Sequence, residues 1–374
     1  LDLDGALTDV VDLSVSGTSN LGANVTTSGT QTYTGATTLS GGDRTLTGTT
    51  ITITSTLAGG NNALVITGDL EIDDDATGLS TLSVSGTTDL GGDVTTSSTQ
   101  TYTGATTLSG GDRTLTGTTM NFGAAVTGTG SHDLTITGNL DLDGALTSVV
   151  DLSVSGTSNL GANVTTSGTQ TYTGATTLSG GDRTLTGTTV NFGNTLTGTG
   201  SHDLIVTGNL DLDGALTSVV DLSVSGTSNL GADVTTSGTQ TYTGATTLSG
   251  GDRTLTGTTV NFGSTLTGTG SHDLTITGNL DLDGALTDVV DLSVSGTSNL
   301  GADVTTSGTQ TYTGATTLSG GDRTLEGTTV NFGAAVTGTG SHDLTVTGNL
   351  DLDGALTDVV DLSVSGTSNL GANV

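Results

Sequence analysis

The 374-residue chain contains no proline, no cysteine and no tryptophan, and its five basic residues are all arginine. Without cysteine there can be neither a disulfide framework nor a thiolate metal site. No apolar run approaches the ~18 residues that suggest a membrane-spanning helix, so we expect no membrane span here. No signal peptide is visible, although a first residue of Leu1 is compatible with a leader that has been removed.

Positive charge is also scarce. The chain carries 37 Asp and Glu residues, which leaves a formal net charge of −32. Such a surface argues against a nucleic-acid partner, because neutralising phosphate charge supplies most of the affinity in those complexes. It fits a well-solvated surface, or one that gathers cations. Strong helix formers are rare beside Thr, Ser, Gly, Asp and Val, so helix is not expected.

One motif, Thr-Gln-Thr-Tyr-Thr-Gly, recurs at almost constant spacing and predicts a repeat architecture. The copies follow each other with few changes; residues 140–209 and 210–279 differ at four positions. We predict one continuous β-solenoid over 1–374. The copies are 1–69, 70–139, 140–209, 210–279, 280–349 and a partial copy, 350–374.

Within a copy, apolar residues alternate with Ser, Thr, Asn and Asp, and Gly, Asn and Asp supply the corners. Leu152 and Val154 share one parity, and Tyr172 and Phe192 have the inward parity of a half-buried strand. Glycine landmarks that follow strand residues recur four times per copy, at the following positions: Gly156, Gly174, Gly193, Gly208 and then Gly226 of the next copy.

These landmarks predict four coils per copy, each of about 17–18 residues with about three short strands, or about 21 coils in all. A right-handed, all-β parallel β-helix satisfies this pattern. A single coil encloses too few apolar side chains to offset its ordering entropy, so stability must come from stacking. At a strand spacing of roughly 4.8 Å the stack would be ~100 Å long.

The segment 171–178, Thr-Tyr-Thr-Gly-Ala-Thr-Thr-Leu, with Ser-Gly before it and Ser-Gly-Gly after it, resembles the autotransporter-associated β-strand repeat. The likeness extends over this segment and its flanks in each of five copies. It implies a right-handed β-helix in the exported part of a large repetitive bacterial surface protein, with a general similarity to filamentous-haemagglutinin-like adhesins.

Two sets of charged residues recur in turns. His132, His202, His272 and His342 lie in Gly-Ser-His-Asp turns, where turn formation is favoured over a metal or catalytic role, since single histidines far apart make a poor cluster. Each arginine follows an aspartate in a Gly-Gly-Asp-Arg turn, which predicts an exposed ion pair of little energetic value. A polysaccharide-lyase role would require one asymmetric cleft of unlike polar residues, and no coil supplies it.

Acidic turns are the best candidates for ligand binding. Asp-x-Asp-Gly resembles the start of a calcium loop, although the remaining ligands of such a loop are missing. We therefore weigh weak calcium bridging between coils against plain solvation, with no other cofactor expected. The candidate ligands are Asp141, Asp143, Asp151, Asp211, Asp213, Asp221, Asp281, Asp283 and Asp291.

A Thr-x-Thr array at Thr169, Thr171 and Thr173 is also present, as in ice-binding solenoids, but Ser153 and Asn191 are expected to interrupt it in adjacent coils. Tyr172 and Phe192 are expected to fill the core rather than stack on sugars.

The sequence as a whole favours a non-enzymatic, secreted or cell-surface structural protein: a stalk, fibre or surface-layer component. The alternative is the stalk segment of a bacterial adhesin whose binding tip, with host or matrix glycans as candidate ligands, lies elsewhere. Because Leu1 and Val374 both fall inside a repeat, we expect a longer chain of the same kind, with head-to-tail or lateral self-association as the other option.

Overall fold

The computed structural model describes residues 1–372, so the last two residues of the partial copy 350–374 lie outside the described residues. It contains 49 strands, and none of the described residues is helical. The residues group into two compact units, 1–188 and 189–374. Continuity of one solenoid over 1–374 stays a prediction. In the described chain, no helix exists that could cross a membrane.

Strands of the first unit are mostly short, and a few are long enough to turn a corner. Their bounds are Asp2–Leu3, Leu7–Val10, Leu13–Val15, Ser19–Leu21, Val25–Thr27, Gln31–Tyr33, Thr37–Leu39, Arg44–Ile53, Leu57–Ala58, Leu64–Ile72, Ala76–Leu79, Leu82–Val84, Thr88–Leu90, Val94–Thr96, Thr99–Tyr102, Thr106–Leu108, Arg113–Phe122, Val126–Gly128, Leu134–Leu142, Leu146–Val149, Leu152–Val154, Ser158–Leu160, Val164–Thr166, Thr169–Tyr172 and Thr176–Leu178.

The strand Arg183–Phe192 includes residues of both units. The strands of the second unit are Leu196–Gly198, Leu204–Leu212, Leu216–Val219, Leu222–Val224, Ser228–Leu230, Val234–Thr236, Thr239–Tyr242, Thr246–Leu248, Arg253–Phe262, Leu266–Gly268, Leu274–Leu282, Leu286–Val289, Leu292–Val294, Ser298–Leu300, Val304–Thr306, Thr309–Tyr312, Thr316–Leu318, Arg323–Phe332, Val336–Gly338, Leu344–Leu352, Leu356–Thr357, Leu362–Val364 and Ser368–Leu370.

Parallel pairing between successive turns organises each unit. In the second unit, Leu274 lies beside Leu292, which in turn lies beside Gln310. The intervening strands pair with their own counterparts one turn later, so each turn has three strand faces. These pairings confirm the predicted all-β parallel solenoid.

The length of a turn differs from the prediction. The ladder from Leu64 passes through Leu82, Gln100 and Met120 and arrives after four turns at Leu140. Leu140 lies beyond Leu134, which is the equivalent of Leu64 in the next copy. The predicted coil is therefore too short, and four coils per copy is wrong. The described chain therefore makes fewer turns than the predicted 21.

Glycine spacing misled the prediction because the step from Gly193 to Gly208 does not mark a turn. Gly263 and Gly278 are the equivalents of these two landmarks in the next copy. Gly263 packs beside Thr243, whereas a Cβ atom at Gly278 would overlap the carbonyl oxygen of Gly257. The two glycines thus lie at different corners. Gly278, at φ 133°, lets the strand Leu274–Leu282 bend and cover two faces.

A copy therefore contains fewer than four turns. The nine strands from Leu204–Leu212 to Leu266–Gly268 include two long strands that occupy two faces each, which gives eleven faces, or three and two-thirds turns. In the second unit, the ladder from Leu274 arrives at Leu350 after four turns, not at its equivalent Leu344. Equivalent residues of successive copies hence lie one face apart.

Columns of Leu, Val and Ile fill the interior, with aromatic pairs at intervals. Tyr242 and Phe262 are ladder neighbours whose rings stack at 5.3 Å between centroids, and Tyr312 and Phe332 stack at 5.2 Å. The predicted inward parity of the tyrosine and phenylalanine positions is confirmed, since these side chains are at most 1% exposed.

A buried glutamine accompanies each tyrosine. Tyr242 Oη donates to Gln240 Oε1 at 3.0 Å, and Gln240 Nε2 donates to the carbonyl oxygens of Val234 and Thr256 at 3.2 and 2.8 Å. The amide thus satisfies the phenol and links two adjacent turns inside the core. Gln240 lies two residues before Tyr242 in the same strand, so its side chain points to the same, inward face. This position could have been predicted from the sequence.

Replacing Phe262 tests the aromatic stack. Copy 1–69 places Ile53 beside Tyr33, so the coil accommodates isoleucine there. We expect Phe262→Ile to lower the local free energy of unfolding by about 1 kcal/mol through the lost ring pair, and Phe262→Ala by about 3–5 kcal/mol. Hydrogen exchange of the amides around Tyr242 measures both, and equal losses for the two variants would contradict this packing.

Alkaline titration tests the tyrosine burial. Desolvation raises the pKa of each of the five tyrosines above the ordinary value, so the folded state keeps the neutral phenol. This contribution to stability is fully present below about pH 10 and is lost as the pH rises further, because the unfolded chain then releases protons. Phenolate absorbance at 295 nm should appear only with loss of the β circular-dichroism signal. Titration near pH 10 with the fold intact would show that the phenols are accessible.

Candidate functional sites

The predicted calcium ligands occupy three separate structural positions. Asp141, Asp211 and Asp281 point outward in mid-strand, and each accepts a hydrogen bond of 2.7–2.8 Å from an asparagine side chain in the next turn. That neighbour is a neutral amide rather than a second carboxylate. The next turn therefore adds no negative charge beside these aspartates.

Asp151, Asp221 and Asp291 serve as caps for the backbone. Each carboxylate accepts a hydrogen bond from a backbone N–H one turn later, at Thr169, Thr239 and Thr309 respectively. Asp143, Asp213 and Asp283 are exposed at a corner. No three His, Asp or Glu side chains of residues 1–372 form a group that could hold a metal ion. Calcium binding stays a prediction.

A column of aspartates runs along one corner of the second unit. Asp252 Oδ1 accepts from the backbone N–H of Asp273 at 3.0 Å, and Asp273 Oδ1 accepts from that of Asp291 at 3.1 Å. The amide donors stabilise carboxylates that lie on consecutive turns. The donors lie 21 and 18 positions after their acceptors. The contact over 21 positions was not predicted, because the glycine spacing indicated coils of only 17–18 residues.

The histidines pair across turns. His272 Nδ1 lies 3.7 Å from Asp252 Oδ1, and His342 Nδ1 lies 3.7 Å from Asp322 Oδ1. In both cases the partner belongs to the preceding turn and is not the adjacent aspartate of the Gly-Ser-His-Asp motif. Each imidazole also packs against the glycine two positions earlier in the sequence; His272, for example, packs against Gly270.

The prediction of exposed arginines is wrong. The five arginines are only 7–9% exposed. Arg253 Nε donates to the carbonyl oxygen of Ser249 at 2.9 Å, and Arg253 Nη1 lies 3.6 Å from Asp233 Oδ1 in the preceding turn. The guanidinium therefore bonds back to the start of the Gly-Gly-Asp-Arg corner, at Ser249, and its ion-pair partner is Asp233 rather than the adjacent Asp252. Arg253 is buried because the inward-facing positions of the strand Arg253–Phe262 include its first residue.

Copy 140–209 provides a natural contrast, because Asn163 stands where Asp233 stands in the next copy. Burial lowers the pKa of Arg183, the effect of Asp182 opposing this only in part. Asn163 Oδ1 still accepts from the N–H of Thr184 at 3.0 Å, as Asp233 Oδ1 does from Thr254 at 2.9 Å. The two copies thus share the cap and differ in the charge.

Exchanging these two residues isolates the ion pair. We expect Asn163→Asp to stabilise the coil around Arg183, and Asp233→Asn to destabilise that around Arg253, each by about 0.5–1 kcal/mol, since the aspartate is half exposed. Chemical denaturation and local hydrogen exchange measure the change. Both effects should shrink in 1 M salt; effects of the same sign in the two variants would contradict an ion-pair origin.

A β-bulge opens a groove once in most copies. In the strand Leu286–Val289 the register shifts, and both end residues face the core. Asp288 adopts a left-handed conformation, φ 60°, and its carbonyl group approaches Gly268 of the preceding turn so closely that a Cβ atom there would overlap it. The bulge and the missing side chains at Gly268 and Gly270 leave a depression in the surface. Sequence reasoning missed it, although inward residues three apart are the mark of a bulge.

Four such grooves each contain a left-handed residue, from which the groove takes its name. The Asp9 groove is lined by residues 9–11 and 26–28, the Ser148 groove by 130, 131, 148–150 and 165–167, and the Ser218 groove by 200, 201, 218–220 and 235–237. The Asp288 groove is lined by Gly268, Gly270, Ser271, Asp288, Val289, Val290, Thr305, Thr306, Ser307 and Glu326.

The Thr-x-Thr array is interrupted as expected. In the second unit, Thr241 lies between Ser223 and Asn261 in the adjacent turns.

Comparison of the chain with family models, with curated proteins and with solved structures gave no match. The acidic, histidine and arginine positions mainly cap and join turns, and the grooves are the concave features left for a ligand.

Proposed function

We propose that the chain is an extracellular structural protein, a rod or filament that serves as a stalk, fibre or surface-layer component. The observation that carries the proposal is the parallel hydrogen-bond ladder within each unit, in which a strand pairs with the turn before and the turn after. Such stacking makes length a direct product of the number of copies.

The polar surface supports the same role. Outward positions are mostly Ser, Thr, Asn and Asp, and the few exposed large apolar side chains, such as Val65 and Ile205, are isolated. With a net charge of −32, like-charge repulsion and solvation oppose non-specific sticking between chains. A long stack can then remain soluble while it exposes many turns.

The likeness of the segment 171–178 to the autotransporter-associated β-strand repeat supports the location outside a bacterial cell. We infer that rigidity and length, rather than catalysis, are what the stacked coils supply. Self-association or continuation of the same chain would extend them further.

Deleting one copy tests the rod directly. A variant lacking residues 210–279 keeps every local junction, because copies 140–209 and 280–349 have nearly the same sequence. Removing three and two-thirds turns should shorten the particle by about 18 Å at ~4.8 Å per turn, with no change of width. Small-angle scattering and negative-stain electron microscopy measure both dimensions. A scattering profile of a flexible coil, or a particle that shrinks in all directions, would overturn the proposal.

A further inference from the structure

The copies 210–279 and 280–349 differ at six positions, and these substitutions are of two chemical kinds. Four exchange small or apolar residues. The other two introduce carboxylates, with Asp288 in place of Ser218 and Glu326 in place of Thr256. Although these two residues are far apart in sequence, both line the Asp288 groove.

The other grooves form a charge series around the same backbone. The Ser148 and Ser218 grooves have serine at the left-handed position, and Thr186 and Thr256 stand where Glu326 does. The Asp9 groove has one carboxylate, because Thr47 is its equivalent of Glu326. Of the four grooves described, the Asp288 groove is the one that combines two carboxylates. It is also larger, with a volume of about 480 Å³ against about 290 and 300 Å³ for the two serine grooves.

We propose that the Asp288 groove is a docking site for an arginine side chain presented by an extended basic segment of a partner protein. Asp288 and Glu326 are both exposed and supply the complementary charge. The hydroxyl of Ser271, beside glycines without side chains, adds a hydrogen-bond acceptor within the groove.

The chemistry of the groove favours a guanidinium group over a metal ion. Calcium takes six to eight oxygen ligands at short range, and the residues that the structure describes contain no three-member ligand group. A guanidinium is planar, is weakly hydrated and binds carboxylates through several donors. Its aliphatic stem can lie on Val290, which is only partly buried in this groove.

Photocrosslinking followed by tryptic digestion tests the proposal. Trypsin cleaves this chain about once per copy, so the labelled peptide shows which groove was occupied. Peptide 254–323 contains most of the Asp288 groove, and peptide 184–253 contains the Ser218 groove. The probe is a short extended peptide with one arginine next to a diazirine residue. The matched probe carries citrulline, which is uncharged but has nearly the same shape. Labelled full-length chain is denatured, digested and quantified by mass spectrometry.

The expected result is that the arginine probe labels peptide 254–323 about two- to thirtyfold more than peptide 184–253, which is the range for two exposed ion pairs. The citrulline probe should label both equally. The double variant D288S/E326T should remove the preference, and S218D/T256E should create it in peptide 184–253. The control D213S/D283S removes two exposed charges outside both grooves and should leave the preference unchanged.

Three results would overturn the proposal. Equal labelling of the two peptides by the arginine probe would show attraction to the net charge alone. An equal loss of preference in D213S/D283S would show the same. Displacement of the probe by micromolar calcium, but not by sodium chloride of matched ionic strength, would assign the groove to a divalent metal.

Discussion

The parallel hydrogen-bond ladder between turns is the constraint on which the other features depend. It fixes which residues become neighbours, since Leu134 meets Leu152 and Val164 meets Leu185, each one full turn later, and not the residue beside it in sequence. His272 therefore pairs with Asp252, and Arg253 with Asp233. Both motifs contain an adjacent aspartate, yet the partner comes from the preceding turn.

Ladder geometry also explains why the aspartates are so numerous. Parallel turns leave backbone N–H groups at the corners without strand partners, and a carboxylate one turn earlier reaches them, as Asp151 reaches Thr169 and Asp291 reaches Thr309. Asparagine does the same at Asn139, whose Oδ1 accepts from Thr157 at 2.9 Å. A large part of the negative charge is thus a consequence of capping.

Much of the fold could be predicted from sequence, because alternation and periodicity are local properties of the chain. The parallel solenoid and the inward Tyr172 and Phe192 positions followed from them. The length of a turn did not, because a bent strand such as Leu274–Leu282 contains a glycine corner that looks like the start of a new turn. The burial of Arg253 was missed because the arginine was assigned to the exposed Gly-Gly-Asp-Arg turn and not to the strand that begins with it.

The candidate sites were less predictable because they depend on which turns are adjacent. The Asp288 groove joins residues of four consecutive turns, in which Gly268, Asp288, Thr305 and Glu326 follow one another. A coil assumed to be shorter than the true turn puts these residues out of register. Once the register is known, the few differences between copies become informative, since a charge added at Glu326 can be seen to face the same groove as Asp288.

A mismatch between copy length and turn length has a consequence for any binding surface. Because Leu274 and its equivalent Leu344 lie on different faces of the second unit, equivalent grooves do too. A partner that runs along one face would meet unlike residues in successive turns rather than a row of identical sites. Selective substitution of a single copy, as at Asp288 and Glu326, then changes one face locally and leaves the stacking of every turn as it was.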